Sequence, residues 1–494
     1  MNVPTQPCKS YAKGFPGRMD QDRLYGQNKG CSMAHSDDSV LNGERPTVRR
    51  LNGKAKLTCS LARLWMLPVL VAGLLSARQG QAQEVTITED LSIPGHAMNV
   101  ASHGSTVITY NGVIYFTYVD ENLRTKVGML KNGKWTWTVV EPNTKNDPTH
   151  TTPSIGIDAE GYIHAAYNMH GDPWQYSISD RPEDISSFTK IPPDDPRMIP
   201  GSKITYPIFI RDNNGVLYVS YRDQPPKTGS GDIVYPELRS GNIAKYDVTK
   251  KRWTAIGGGP NVDVAEDNSY GVYKVRLRFD RNNRMHLAWL WRWKVPTGGD
   301  AMQPTYAYSD DGGKTFFTAK GVQYHLPIDH TQPTSQNAGL AADVSWTDYW
   351  VKLNEMRVAI DIDDKPHIVF KDQDKVYKMV QWTGSNWTTP QFWGTLRICI
   401  NPRGDIFRMY QTYLEISTDN GKTWKRYDYP DSGNYTSFIY DDLYLRETNN
   451  LRFQARRKSD NLMKIWTVKL ANSGATDSVA PSPPTNVKAT LGGN

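Results

Sequence analysis

The sequence predicts an all-β chain folded as a seven-bladed β-propeller with four-stranded antiparallel blades. Three observations lead there. The composition is that of strands and turns: of 494 residues, 15 are Trp, 27 Tyr, 39 Gly and 31 Pro, types that favour pleated strands and tight turns over helices. A short apolar strand, closing on an aromatic in six cases, recurs seven times along the chain. Two segments about 108 residues apart share the pattern S-x-D-x-G-x-T-[WF].

The front of the chain stands apart from this pattern. Leu64–Leu75 is an apolar run of 12 residues, too short to span a bilayer, which takes about 20. Lys54, Lys56 and Arg63 precede it, and the small-x-small sequence Gly80-Gln81-Ala82 follows. That is the order of a secretory signal peptide cut after Ala82, so residues 1–82 are expected to be a leader and the mature protein secreted or periplasmic. The alternative is a buried core segment. Residues 1–82 hold 12 Lys/Arg and 5 acids, so the whole formal charge of +7 belongs to the leader and the remainder is balanced. A charge footprint for nucleic acid is thereby excluded from the body of the protein. Three of the four Cys (Cys8, Cys31 and Cys59) also lie in the leader. Cys399 alone cannot form an internal disulfide or a Cys-rich zinc site, and its apolar run reads as a buried strand.

Residues 83–472 carry the repeat. The second strands of the blades are Gly112–Tyr118, Gly161–Tyr167, Gly215–Tyr221, Arg284–Trp289, Lys365–Phe370, Gly404–Tyr410 and Asn450–Ala455. Turns such as Asp158–Gly161, Asp212–Gly215 and Asp280–Asn283 precede them, with residues that tolerate positive φ. Third and fourth strands follow, for example Lys126–Leu130 with Lys134–Trp137, and Val376–Val380 with Asn386–Thr388. Seven such units describe a propeller, and Glu84–Thr88 is expected to complete the last blade. Ser309–Phe316 and Ser417–Trp424 resemble the Asp box of sialidase-like propellers, which marks fold rather than function. Residues 473–494 are a Pro-rich tail, expected to be a linker.

Aligning the blades shows which residues share a level. After the aromatic of the second strands stand Val119, Asn168, Arg222, Leu290, Lys371 and Gln411 in blades one to six, and the polar Asn168, Arg222, Lys371 and Gln411 are candidates for one face. Aligning Gly161 with Gly215 puts Pro153 opposite Pro207, so His150 and Tyr206 enter neighbouring blades at similar levels, with His170 two residues beyond Asn168. Each has a plainer reading: Tyr206 as core, Arg222 as the ion partner of Asp223. His164, His286 and His367 fall mid-strand in one column and are expected to be packed.

The segment His150–His170, with Thr205–Ile210 and Tyr221-Arg222-Asp223, resembles the BNR-repeat polysaccharide lyases, notably the seven-bladed ulvan lyases, over about residues 95 to 470. The spacings carry the resemblance: 20 residues between the histidines and 16 from Tyr206 to Arg222. It implies a catalytic centre of His150, His170, Tyr206 and Arg222, and β-elimination on an anionic, uronate-containing, ulvan-like polysaccharide. A further tyrosine of that family corresponds to Tyr270 or Tyr273. Residue types agree with the chemistry. An arginine can hold the uronate carboxylate and stabilise enolate-like charge, while His or Tyr takes the C5 proton and an acid protonates the leaving O4. Tyr206 and His150 are expected to share the proton transfers, with His170 assisting. Asn168, Tyr273, Arg276, Arg292 and Lys371 are expected as substrate contacts, and Trp174 as a stacking platform for a sugar ring. No cofactor is expected for catalysis and no metal-ligating residue is assigned; some relatives carry a structural metal, but its Cys-containing form is not evident here. No membrane or nucleic-acid partner is expected, and the protein is expected to be a monomer.

Two other functions compete. A sialidase-like hydrolase would need an arginine triad and a Tyr/Glu pair, and the usual Arg-Ile-Pro motif is absent near the first blade. A non-catalytic glycan-binding propeller would use aromatic-rich stretches such as Trp289–Trp293.

Overall fold

Turn chemistry organises the blades. In blades two to six the turn between the first and second strands opens on Asp158, Asp212, Asp280, Asp361 or Asn401. One side-chain oxygen of each accepts the backbone N–H groups two and four residues on, at 2.8–3.0 Å. The fourth turn residue takes positive φ: Gly161, Gly215, Asn283, Asp364 and Gly404. Asx side chains that bond their own turn are what make such hairpins local in sequence.

The computed structural model describes residues 84–93, 104–147, 150–223, 240–256, 263–264, 269–293, 301–328, 350–351, 355–371 and 376–471. All lie in one compact unit, residues 78–494. The leader and the tail lie outside the described residues. The strands form seven antiparallel sheets, a seven-bladed propeller. Blade one is Val107–Tyr110, Val113–Val119, Thr125–Lys131 and Lys134–Glu141; blade two runs from Ser154–Ile157 to Phe188–Lys190. The inner strands of blades three, four and five are Ile204–Arg211, Ser269–Phe279 and Met356–Ile360. Every expected second strand is found, and Val85–Ile93 pairs with Met463–Leu470 to complete blade seven.

Three details differ from the expectation. Two sheets have a fifth strand: His170–Asp172 adds to the inner edge of blade three, and blade four gains Asp263–Val264 and Trp350–Val351 around its three long strands. In blade five, Asn386–Thr388 is not the fourth strand. Trp382 and Trp387 bridge instead, rings 5.5 Å apart, and Gln391–Phe392 takes the outer place. A helix, Asp442–Thr448, is inserted in blade seven, with Asp441 as its N-cap.

The mid-strand histidines are packed, as expected. His164, His286 and His367 are each 3% exposed or less. Each directs Nε2 at the turn aspartate six residues earlier (3.2, 3.1 and 3.0 Å), and Nδ1 of the first two meets Tyr176 and Tyr306 hydroxyls. Cys399 is fully buried, and burial raises its thiol. In both Asp boxes the aspartate accepts from the Thr hydroxyl and amide four residues on. No helix among the described residues is long and apolar enough to cross a membrane.

Candidate active site

The site grows from two interruptions of the repeat. The first is the turn that joins blades one and two. There the Asp147 carbonyl accepts from the amides of His150 and Thr151 and from the Thr151 hydroxyl, which folds His150 back onto its own Asp147. His150 Nδ1 lies 2.7 Å from Asp147 Oδ1. The other oxygen, Oδ2, lies 2.9 Å from His170 Nδ1. One carboxylate therefore holds two imidazoles, and their rings stack at 3.8 Å and 7°. His170 is fixed from the other side because its strand pairs with the inner strand of blade three, where the Gly171 amide donates to Thr205 Oγ1. Asn168, at φ +61°, accepts the Lys145 amide and donates to the Asn143 carbonyl. It stitches the segment before Asp147 to the segment carrying His170.

The second interruption is a pair of bulges. The inner strand of blade three slips register between Thr205 and Ile208, that of blade four between Tyr273 and Arg276. The first unpaired residue of each, Tyr206 and Lys274, stands at φ +59°. For a side chain larger than Gly this costs about 1–3 kcal/mol, and bulges of this kind re-aim side chains beside functional sites. Here they turn Tyr206 and Lys274 toward each other. Lys274 Nζ is 4.0 Å from the Tyr206 ring centre and 4.8 Å from that of Tyr273. Arg222, paired across the strand from Thr205, lies 4.8 and 4.7 Å from the same two rings. The two phenols are 3.4 Å apart, rings edge to face, and the Tyr206 ring is 6.1 Å from that of His150.

Exposure grades across the site. His150, His170 and Asp147 are about one-third open, whereas Tyr206, Tyr273, Arg222 and Lys274 are buried. Burial, with Tyr273 adding and Arg222 opposing, pushes the Tyr206 phenol well up. Burial pushes the Lys274 amine well down; Glu355 opposes this, and Arg276, Arg222 and Arg357 reinforce it. The arrangement can neutralise a carboxylate, hold one phenolic proton and present an oriented imidazole. Asp147, His150 and His170 also offer ligand atoms within 4.8 Å of one another, the one such His/Cys/Asp/Glu group among the described residues, and are the residues that could hold a divalent ion.

The structure thus brings together His150, His170, Tyr206, Arg222 and Tyr273. Asn168 serves them through the loop. Trp174 does not present a ring to solvent: it is 4% exposed, its indole N–H donates to the Pro200 carbonyl, and it packs edge-on against Tyr221, so the expected stacking platform is corrected to core. Arg276 is buried in the interior, its Nε bonded to the Met356 carbonyl. Lys371 ends the second strand of blade five, Nζ 5.2 Å from the Tyr377 ring, and has no contact with the histidine pair among the described interactions. The side chains of Tyr270 and Arg292 lie outside the described residues. Sequence reasoning missed Asp147 and Lys274. The signal for the first was its place three residues before His150; the second had none, because only the bulge turns it inward.

A sequence profile described as BNR repeat-containing family member matches residues 113–393. No curated protein matches the chain. Among solved structures, the fold is similar to that of the polysaccharide lyase Uly1, with TM-score 0.60 and 14% identity over 79% of this chain and 99% of that one. It is also similar to a PL25 ulvan lyase, free (TM-score 0.57, 14%, 78% and 95%) and bound to -[GlcA(1-4)Rha3S]- (TM-score 0.56, 14%, 78% and 95%). At this identity the likeness is one of fold.

Proposed function

This chain belongs to the BNR repeat-containing family, and from that premise we propose that it is a polysaccharide lyase cleaving a uronate-containing, ulvan-like rhamnose–glucuronate polymer by β-elimination. The observation that carries the reading is the convergence of an Asp147-bridged histidine pair with a buried phenol and a buried arginine, brought together from the turn between blades one and two and from blade three. Elimination removes the proton at C5, breaks the C4–O4 bond, forms the C4–C5 double bond and returns a proton to O4. Arg222, with Lys274 beside it, neutralises the carboxylate that acidifies C5. A proton on His150 Nδ1, facing Asp147, leaves Nε2 as the basic nitrogen, and it takes the C5 proton. Tyr206, kept protonated by burial, delivers the proton to O4. His170, on the second carboxylate oxygen, positions the sugar and shares in neutralising its charge. Catalysis of this kind asks for no cofactor. Such a substrate lies outside the cell, and we propose export on the pattern of residues 64–82.

The test is ultraviolet absorbance of the purified protein incubated with ulvan, beside a non-sulfated rhamnoglucuronan. A rise from the unsaturated uronate product establishes elimination and identifies the polymer. Reducing ends that appear without it make the protein a hydrolase, and no change on a broad glycan panel makes it a binding module.

A further inference from the structure

With Trp174 in the core, the fold offers another ring to the polymer. We propose that Phe392, braced by Tyr410 and Tyr413, is a stacking platform for one of its sugar rings, on the end of the propeller that carries the histidine pair. The proposal rests on the polysaccharide reading above. Phe392 is 73% exposed, whereas the other exposed large hydrophobic side chains among the described residues reach 45% at most. A single open ring is ordinary on a protein surface; this one ends a row. A Cβ placed on Gly394, at φ +85°, would lie 3.6 Å from both Phe392 Cζ and Tyr410 Cε1, and 2.9 Å from the Tyr410 hydroxyl oxygen. The two rings therefore converge beside a residue whose backbone and surroundings both ask for glycine. Tyr410 stacks on Tyr413 at 4.5 Å and 18°, and Arg426 Cζ lies 4.0 Å from the Tyr413 ring centre. The Tyr410 amide donates to the Tyr413 carbonyl at 2.8 Å, which fixes the turn between them. The row runs from the outer strand of blade five to that of blade six.

Strand direction places the row. Second strands run the same way in every blade of a propeller, so the turn from Tyr410 to Tyr413, which follows that of blade six, lies at the end where Arg222 stands in blade three. Phe392 reaches the same end. It pairs with Lys378, next to Tyr377, and Tyr377 is the partner of Lys371 at the close of the second strand of blade five. The chemistry is that of a sugar-binding surface. A pyranose has an apolar face of C–H groups and a rim of hydroxyls; an aromatic ring covers the first and phenolic hydroxyls bond the second. Arg426 is paired with Asp428 and Arg408 with Glu415, each at 2.7 Å, so the row reads ring shape rather than charge. A protein partner would need about 800 Å² of surface and several anchors. The other exposed large hydrophobics lie elsewhere: Trp137 in blade one, Val322 after the third strand of blade four and Ile362 at the opposite end of blade five. One open ring with phenols beside it matches a sugar instead.

Ulvan cast into cold native gels is the probe, and retardation of the intact chain is the readout. The parent is expected to be retarded. Phe392→Ala is expected to weaken the apparent affinity by about 2–10-fold, Phe392→Tyr to restore it, and Ile362→Ala, the same kind of truncation at the other end of blade five, to migrate as the parent does. Equal retardation of Phe392→Ala and the parent overturns the inference, as does a parent that ulvan does not retard, or an equal loss in Ile362→Ala. A sedimentation coefficient that changes in Phe392→Ala assigns the ring to contact between copies and overturns it too. Product absorbance, read on the parent alone, judges the lyase reading separately. Absorbance that rises while retardation is equal removes the platform and leaves the lyase; weakened retardation without any absorbance removes the lyase and leaves the platform.

Discussion

At the scale of the residue, Asp147 separates the two roles a histidine can have in this fold. Three histidines each spend Nε2 on the buried turn aspartate of their own blade, whereas His150 and His170 come from different segments and meet on one partly open carboxylate. Replacing that carboxylate by an amide leaves one acceptor where two rings need one each. Asp147→Asn is therefore expected to lower kcat by about 10²–10⁴ while the melting temperature stays near that of the parent; the two are read from the absorbance assay and from calorimetry. Tyr206→Phe keeps the ring, its packing and its cation contacts but removes the proton. Turnover should fall by about 10²–10⁴, with binding of the polymer, followed by titration calorimetry, largely kept. A binding module would show no turnover in either protein and would keep its affinity. Prior treatment with EDTA is expected to leave turnover unchanged; its loss would assign a metal to Asp147, His150 and His170. That four residues of the candidate site lie together was legible because blade alignment places strand ends at equal levels. Asp147 was not, because an Asn-Asp-Pro loop looks like any turn, and Trp174 was misplaced because sequence cannot say which way a ring faces at a strand end.

Elements tell a more regular story. The strands were legible from alternation and from Asx turns, which are local chemistry. The added strands His170–Asp172 and Trp350–Val351 were not, since each pairs with a segment tens of residues away, and the outer strand of blade five was misread because a tryptophan pair imitates a strand. The Asp boxes give the elements a pH signature. The Asp311 and Asp419 carboxyls are lowered to about 2 from an ordinary 3.8. For Asp311, burial works against the shift and bonds from Thr315 and Ser309 outweigh it; for Asp419 the Thr423 bond leads. A carboxyl lowered by folding contributes stability above its unfolded pKa and loses it as pH falls through the folded one. The melting temperature should thus drop between about pH 4 and pH 2, and less steeply in an Asp311→Asn, Asp419→Asn double variant that begins lower at neutral pH. Equal slopes in the two proteins would contradict this account.

For the molecule as a whole, closure is the decisive contact. Leu91 and Ile93 are 6% and 2% exposed, and they join blade seven to blade one through the cluster that includes Phe116 and Ile465. Ile93→Ala removes buried methyl groups at that seam and is expected to cost about 2–5 kcal/mol, measured by urea unfolding. A substitution of the same type on the outer strand of another blade should cost less, because it leaves the ring shut.

That seam also ties the timetable of synthesis to the shape of the product. The Ala471 amide donates to the Glu84 carbonyl at 2.8 Å, so strands separated by nearly the full length of the propeller end side by side. At about 5–20 residues per second, the strand made first waits on the order of 20–80 s for the partner made last. Throughout that interval its apolar edge is open to any other unpaired strand, including that of a neighbouring nascent copy. The pairing that shuts the ring when it is finished is, while the ring is being made, one long invitation to mispairing.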